Sequence, residues 1–246
     1  MMNRYFFRVE YDGTGYCGWQ IQPNGRSLQQ EIEAAFATVT RQACAVVGAG
    51  RTDAGVHARR QGAHIELDGT IDLRSVQKGV NAILPVDIAI DEFKVVAPDF
   101  HARFSAVQRR YKYSIGTRKL PLARNRIWRM SYPVDWELIN TNCAQIIGTH
   151  DFSSFCASGS QVAHCICTVS TAAITVADDL RIFEISANRF VYSMVRSLIG
   201  TLVDIGRGER TLSMGDIIVG KERSLAGQTA PAAGLVLDDV LYPGNI

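Results

Sequence analysis

The strongest constraint on the fold is an order of predicted strands and helices that occurs twice along the chain. In the first half, residues 4–11 are rich in Phe, Val and Tyr and predict a strand. Residues 27–41 begin with Ser27 as an N-cap and place their apolar side chains on one helical face. The other predicted elements of this half are strands at 43–47, 58–67 and 88–96 and a helix at 73–84 that Pro85 ends. This β-α-β-β-α-β order is that of the split βαβ, or ferredoxin-like, unit.

The second half of the chain repeats the order. Its predicted elements are a strand at 109–116, a helix at 135–147, a hairpin of strands 167–176 and 180–187, helices at 190–205 and 213–219, and a last strand at 234–241. We therefore expect an α+β fold made of two ferredoxin-like units, residues 1–103 and 104–246. The two units are expected to join around a largely antiparallel sheet, with an active-site cleft between them.

Composition bounds the class of protein. The chain has 246 residues, of which 47% are hydrophobic, so it can bury a sizeable core. It has no apolar run of membrane-spanning length and no secretory leader, which predicts no membrane association and a cytoplasmic location. Six cysteines are scattered along the chain, and only Cys165 and Cys167 lie close together. A single C-x-C pair is a weak zinc signal, so we expect reduced thiols and no metal site.

The distribution of charge indicates a polyanionic partner, although the net charge is only +2. No acidic residue lies between Asp99 and Asp135. Nine arginines and lysines occur in that stretch, as a nucleic-acid-binding surface requires. Tyr111, Tyr113 and Trp128 are interleaved with these cations and are suited to stacking on bases, although packing in a core explains aromatic residues equally well.

The segment GAGRTDAGVHA, residues 48–58, has the character of a catalytic turn. It carries one carboxylate, Asp53, two residues after Arg51 and among three glycines. The glycines permit strained backbone and close approach of a ligand. The guanidinium can keep the carboxylate ionised and orient it. A nearby histidine, His57, is expected to orient the turn rather than to transfer protons.

The chain resembles the TruA family of tRNA pseudouridine synthases nearly from end to end. Besides the catalytic segment, the matching blocks are YDGTGYCGWQIQ, VNAILP, FHARFSA, RRYKY, GTHDFSSF, NRFVYSMVRSLIGTLVDIGRG and the closing AP…GLVL, in the family's order. The resemblance implies isomerisation of uridine to pseudouridine at positions 38–40 of the tRNA anticodon stem-loop. It also implies that no cofactor is used and that the enzyme is a homodimer.

The resemblance also assigns roles to residues. It implies that Asp53 is the catalytic aspartate, Tyr111 the active-site tyrosine and Arg196 the arginine that pairs with Asp53. Arg51 matches the arginine that helps to hold the target nucleotide out of the RNA. The residues expected to bind RNA are Arg51, Arg59, Arg60, Arg103, Arg109, Arg110 and Lys112.

The sequence does not decide which chemical role the Asp53 carboxylate has. Asp53 could attack an electron-deficient carbon of the base, stabilise positive charge at C1′, or take the C2′ proton on a glycal route. Two other functions also share these features, namely an RNA-binding or RNA-chaperone protein without turnover, and a glycosidase or N-glycosylase.

Two positions depart from the family pattern. Tyr192 and Ser193 stand where the family usually has histidines before MVR, and Ser170 stands where it usually has an arginine. We expect altered RNA contacts or packing at these positions, with the chemistry retained.

Overall fold

The computed structural model describes residues 2–23, 25–157 and 163–244. The chain forms two compact units: unit 1 is Met1–Val107 together with Val236–Ile246, and unit 2 is Gln108–Leu235. These units differ from the predicted domains 1–103 and 104–246 by four residues after position 103 and by the C-terminal segment. The domain division itself stays a prediction. The fold class is α+β, as expected, with mostly antiparallel strands.

Unit 1 has the predicted β-α-β-β-α-β order. Its elements are β1 (Met2–Tyr11), α1 (Leu28–Thr40), β2 (Val47–Gly48), β3 (His57–Asp68), α2 (Leu73–Ile83) and β4 (Ile88–Val96). Strand β1 lies between β4 and β3 and is antiparallel to both, and β2 pairs with β3. This arrangement places the chain between β2 and β3, which contains Asp53, at one end of β3.

Helix α1 forms where its sequence pattern predicts it. The Ser27 hydroxyl accepts a hydrogen bond from the Gln30 amide at 3.3 Å, which caps the first turn. Leu28, Ile32 and Phe36 are fully buried on the inner face. The predicted strand at 43–47 is wrong in extent, because only Val47–Gly48 pairs with β3.

Unit 2 is also built of mostly antiparallel strands and of helices. Its elements are β5 (Gln108–Gly116), β6 (Trp128–Arg129), α3 (Trp136–Ala144), β7 (Gly148–Asp151), β8 (Ile166–Ala177), β9 (Leu180–Ala187), α4 (Met194–Gly206) and α5 (Met214–Gly220). The strands β5, β9, β8 and β7 are neighbours in that order, and β6 runs parallel to β5. The last strand, β10 (Leu235–Leu241), belongs to unit 1 from Val236 onward and pairs in parallel with β3 at Val236 and Leu237.

Helix α4 begins later than predicted. Residues 190–193 lie outside the helix. Ser193, at the N-cap, has φ 56°, and this left-handed conformation cannot continue a right-handed helix toward the N-terminus. Twelve of its thirteen residues are buried, which explains the long apolar run. Among the described residues, no helix is long and apolar enough to cross a membrane.

Candidate active site

Asp53 lies on a tight loop between β2 and β3, formed by residues 49–56 and called here the Asp53 loop. The Val56 amide donates a hydrogen bond to the Asp53 carbonyl at 3.2 Å, which closes a turn. Gly55 has φ 78°, a conformation that favours glycine. Thr52 is buried, Asp53 is half-buried and Arg51 is exposed. The turn therefore places the Asp53 carboxylate at the surface of unit 1, directly after the buried residue Thr52.

Two residues from outside the loop hold Thr52 in place. The hydroxyl of Tyr11, at the end of β1, lies 2.7 Å from the Thr52 hydroxyl in a buried hydrogen bond. The Trp19 amide donates to the Thr52 carbonyl at 3.1 Å. Tyr11 and Trp19 are themselves almost fully buried. Because the hydroxyl and the carbonyl of Thr52 are both engaged, the backbone next to Asp53 has little freedom to move.

Two glycines near the N-terminus allow the chain to pass directly against the Asp53 loop. A Cβ atom at Gly18, where φ is 100°, would lie 2.7 Å from the Thr52 carbonyl oxygen. A Cβ atom at Gly13 would lie 2.0 Å from the Val56 carbonyl oxygen. Only glycine fits such backbone contacts. This supporting role of the YDGTGYCGW block was not predicted from the sequence, where its signal is a set of glycines beside aromatic residues.

His57 connects the loop to the same N-terminal block. Its Nδ1 lies 3.1 Å from the Gly13 amide nitrogen and 3.1 Å from Asp12 Oδ1, and its side chain is almost fully buried. This placement agrees with the expected orienting role.

The cations of unit 1 that were expected to bind RNA have different surroundings. The Arg59 side chain is 69% exposed and lies 4.0 Å from Asp238. Arg60 is paired with Glu92 and, at 3.4 Å, with Asp239. Arg60 therefore contributes to an ion-pair network in unit 1, whereas Arg59 and the exposed Arg103 are accessible to a ligand.

Tyr111 lies in β5 of unit 2 with most of its ring buried. The ring meets Phe190 edge-on, with centroids 5.0 Å apart and an interplanar angle of 87°. Tyr113, two residues further along, is fully buried and donates to the Pro231 carbonyl at 2.8 Å. Burial raises the pKa of Tyr113, against the opposing charge of Arg196. Tyr113 is thus a core residue, as expected from the sequence.

Arg196 lies in the first turn of α4. Its Nε donates to the Ala230 carbonyl at 2.8 Å, and the Ala230 amide donates back to the Arg196 carbonyl at 3.0 Å. One turn further on, a Cβ at Gly200 would lie 1.8 Å from the Gln228 carbonyl oxygen, so this segment runs directly against the helix. The AP…GLVL block, matched in the sequence only by resemblance, begins with the residue that orients Arg196.

The cations of β5 point to both faces of its sheet. Arg109 donates to the Asn188 carbonyl at 2.8 Å and shares the face of Tyr111, whereas Arg110 and Lys112 lie on the opposite face. The Lys112 ammonium is 3.1 Å from Glu184 on the neighbouring strand, so part of its charge is already compensated.

The two departures from the family pattern have local structural roles. Ser193 takes the left-handed turn before α4, and the exposed Tyr192 accepts a backbone hydrogen bond from Ala157 at 3.1 Å. Ser170 donates to the Ser186 carbonyl at 3.2 Å and accepts from Gln108 at 2.8 Å. In this chain, Ser170 joins neighbouring strands with an uncharged side chain.

Metal-ligating residues do not cluster in the part of the chain that the structure describes: no group of three or more His, Cys, Asp or Glu residues could hold an ion. All six cysteines are free thiols.

An α+β protein that carries a carboxylate on a braced glycine-rich loop, together with exposed cations, has the features of an enzyme that acts on a nucleic acid. The family model described as tRNA pseudouridine synthase matches residues 8–105 and 143–243. The chain belongs to the tRNA pseudouridine synthase family.

Curated relatives match over the full length. The chain is 39% identical over 246 residues to the tRNA pseudouridine synthase A of Azobacteroides pseudotrichonymphae, covering 100% of this chain and 99% of that protein. It is 42% identical over 250 residues to the protein of the same name from Bacteroides fragilis, covering 100% and 98%. The corresponding protein of Thermoanaerobacter sp. strain X514 is 42% identical over 237 residues, with 95% and 97% covered.

Proposed function

We propose that this chain converts uridine to pseudouridine at positions 38–40 of the tRNA anticodon stem-loop, with Asp53 as the catalytic carboxylate. As a member of its family, the chain is an isomerase. The observation that carries the assignment of Asp53 is the bracing of its loop by Tyr11 and Trp19. A pre-positioned carboxylate avoids the cost of ordering the catalytic group during the reaction.

The reaction exchanges one bond at the sugar for another. The N1–C1′ bond breaks, the base rotates, and a C5–C1′ bond forms. The hydrogen on C5 leaves as a proton and N1 gains one, so there is no net oxidation or reduction. The three roles open to Asp53 all need an ionised carboxylate beside the nucleotide: attack on the base, stabilisation of charge at C1′, or removal of the C2′ proton.

Tyr111 and Arg196 complete the proposed site. We assign Tyr111 to contact with the uracil taken out of the RNA, since a tyrosine ring can stack on a base and its hydroxyl can exchange protons. We assign Arg196 to pairing with Asp53, with the direction of its guanidinium set by the hydrogen bond to Ala230.

The partner is tRNA, which is bound through cationic side chains that contact its phosphates. We propose that Arg51, Arg59 and Arg103, which are exposed, make such contacts in unit 1. Arg109 and Arg110 would do so in unit 2. A homodimer in the cytoplasm is also part of the proposal, because one subunit could then hold the body of the tRNA while the other modifies it.

The test uses tRNA transcripts labelled with tritium at uridine C5, with uridine at position 38, 39 or 40 in turn. Formation of the C5–C1′ bond releases the label to water, and nucleoside analysis identifies the product. The proposal predicts tritium release equal to the pseudouridine formed. Free uracil would indicate an N-glycosylase, and binding without any product would indicate an RNA-binding protein. Replacement of all three uridines by cytidine is the control and should abolish release.

A further inference from the structure

A turn in unit 1 holds one aromatic ring out in solvent. This turn comprises residues 100–105 and is called here the histidine turn. His101 and Ser105 bond reciprocally: the His101 amide donates to the Ser105 hydroxyl at 3.0 Å, and the Ser105 amide donates to the His101 carbonyl at 2.8 Å. His101 Nδ1 also accepts from the amides of Arg103 and Phe104, at 3.1 and 3.3 Å. Four hydrogen bonds within five residues make the turn rigid.

A second histidine, His64, packs against the histidine turn. The rings of His64 and His101 meet edge-on with centroids 4.9 Å apart, and His64 Nδ1 accepts from the Ala102 amide at 3.1 Å. Burial and nearby positive charge lower the pKa of His101, and burial lowers the pKa of His64 to about 4. Both rings are therefore neutral near pH 7 and act as hydrogen-bond acceptors.

Phe104 is the residue that this framework presents. Its side chain is 76% exposed, and its ring lies 4.4 Å from the His101 ring at an interplanar angle of 34°. The Arg103 guanidinium lies 5.6 Å from the centroid of the same ring. Leaving a phenylalanine ring in water forgoes the favourable free energy that its burial would contribute. A rigid turn that keeps it there is the geometry of a binding surface.

We propose that Phe104 is a stacking platform for an unpaired nucleobase of the bound tRNA, with Arg103 contacting the adjoining phosphate. This inference rests on the proposed function and deepens it, because it names a contact outside the catalytic residues. An exposed aromatic ring beside a guanidinium is the combination with which proteins hold unpaired bases, since every base has a π face.

The test measures binding without turnover. The probe is a tRNA transcript with cytidine in place of the uridines at positions 38–40, and its Kd is measured at one fixed salt concentration. Phe104→Ala and Phe104→Leu should each raise the Kd about tenfold, because stacking on one base is lost. Phe104→Trp should bind within about twofold of the wild type, and its added fluorescence should be quenched by the RNA. Val86→Ala, which changes another exposed apolar side chain of unit 1, is the matched control.

Three outcomes would overturn the inference. They are an unchanged Kd for Phe104→Ala, a Phe104→Leu variant that binds as well as Phe104→Trp, or a change in oligomeric state by sedimentation with unchanged RNA affinity. The last outcome would assign Phe104 to contact between copies. Wild-type turnover of the reactive tRNA is assayed separately. If no pseudouridine forms but the Phe104 series behaves as stated, the proposed activity fails while the stacking contact stands.

Discussion

Arg196 and Ala230 bond to each other twice. The Arg196 Nε donates to the Ala230 carbonyl at 2.8 Å while the Ala230 amide donates to the Arg196 carbonyl at 3.0 Å. The first bond occupies the Nε edge of the guanidinium. Because its acceptor is a backbone carbonyl, the backbone sets the direction in which the two terminal NH₂ groups point. This is a means of aiming an arginine, and a lysine cannot reproduce it because it has no second donor in a planar group.

Arg196→Lys should therefore keep the charge and lose the orientation. We expect kcat on tRNA to fall by about a hundredfold, or roughly 3 kcal/mol of barrier, with the Kd for tRNA within a few-fold of the wild type. Arg207→Lys, at the far end of the same helix and paired with Glu209, is the control and should retain activity. An Arg196→Lys variant with kcat near that of the wild type would show that orientation by Ala230 is unimportant.

The hydrogen bond between Tyr11 and Thr52 should stabilise the Asp53 loop. Tyr11→Phe leaves the buried Thr52 hydroxyl without this partner, and we expect the free energy of unfolding to fall by about 1–2 kcal/mol. Because the loop becomes less ordered, kcat should also fall, by about tenfold, while KM changes little.

A double-mutant cycle with Thr52→Val separates this bond from general damage, since the two changes should be strongly non-additive in kcat. Tyr5→Phe, which removes the bond from a tyrosine hydroxyl of the same strand to the Gly69 carbonyl, is a matched control for loss of a tyrosine hydroxyl. If Tyr5→Phe and Tyr11→Phe lower kcat equally, the support of the loop by Tyr11 is not specific.

The sequence predicted the elements whose signals are local. Helix α1 was predicted correctly because its N-cap and its apolar spacing lie within the helix itself. The start of α4 was predicted four residues too early because the apolar pattern continues through residues 190–193, whereas the left-handed backbone at Ser193 has no signal in hydrophobicity. The strand at 43–47 was overestimated because an apolar composition does not require a segment to pair: Ala43 and Ala45 are exposed, and only Val47–Gly48 pairs with β3.

The supports of the site could not be predicted, because they connect segments far apart in the chain. Nothing in the spacing of residues places Tyr11 against Thr52 or Ala230 against Arg196. In each case the two partners lie more than thirty positions apart in the sequence. The assignment of Asp53 depended on an eleven-residue segment, whereas the residues that hold its loop become visible only in three dimensions.

Phosphate contacts should make tRNA binding depend steeply on salt. Replacing Arg109 and Arg110 together by glutamine should reduce the slope of log K against log salt by about one to two units, if both contact phosphates. Lys112→Gln should change the slope less, because Lys112 is already 3.1 Å from Glu184. An unchanged slope in the double variant would place the cations of β5 away from the RNA.

His64 should make the fold less stable in mild acid. Its pKa is about 4 in the folded chain and 6.5 in the unfolded reference, so the unfolded state binds a proton first as the pH falls. The stabilisation of the folded state by neutral His64 is fully present above pH 6.5 and is lost as the pH falls toward 4. Between pH 7 and pH 5 the loss should be about 2 kcal/mol.

Denaturant unfolding at both pH values should therefore show a smaller decrease for His64→Gln than for the wild type, since glutamine can accept from the Ala102 amide without titrating. Equal decreases in the two proteins would mean that His64 is not held neutral. His150→Gln, in unit 2, serves as the control for general loss of a histidine.

The central claim is that Asp53 carries the chemistry and that the cations carry the binding. It is tested most directly by Asp53→Asn, which keeps the shape of the side chain and removes its charge. Tritium release from C5-labelled tRNA and the Kd for the unreactive tRNA are measured side by side. The account predicts a rate reduced by at least about a thousandfold, or roughly 4 kcal/mol of barrier, with a Kd within a few-fold of the wild type. Residual turnover above about a tenth of the wild-type rate, under one and a half kcal/mol of barrier, would contradict it.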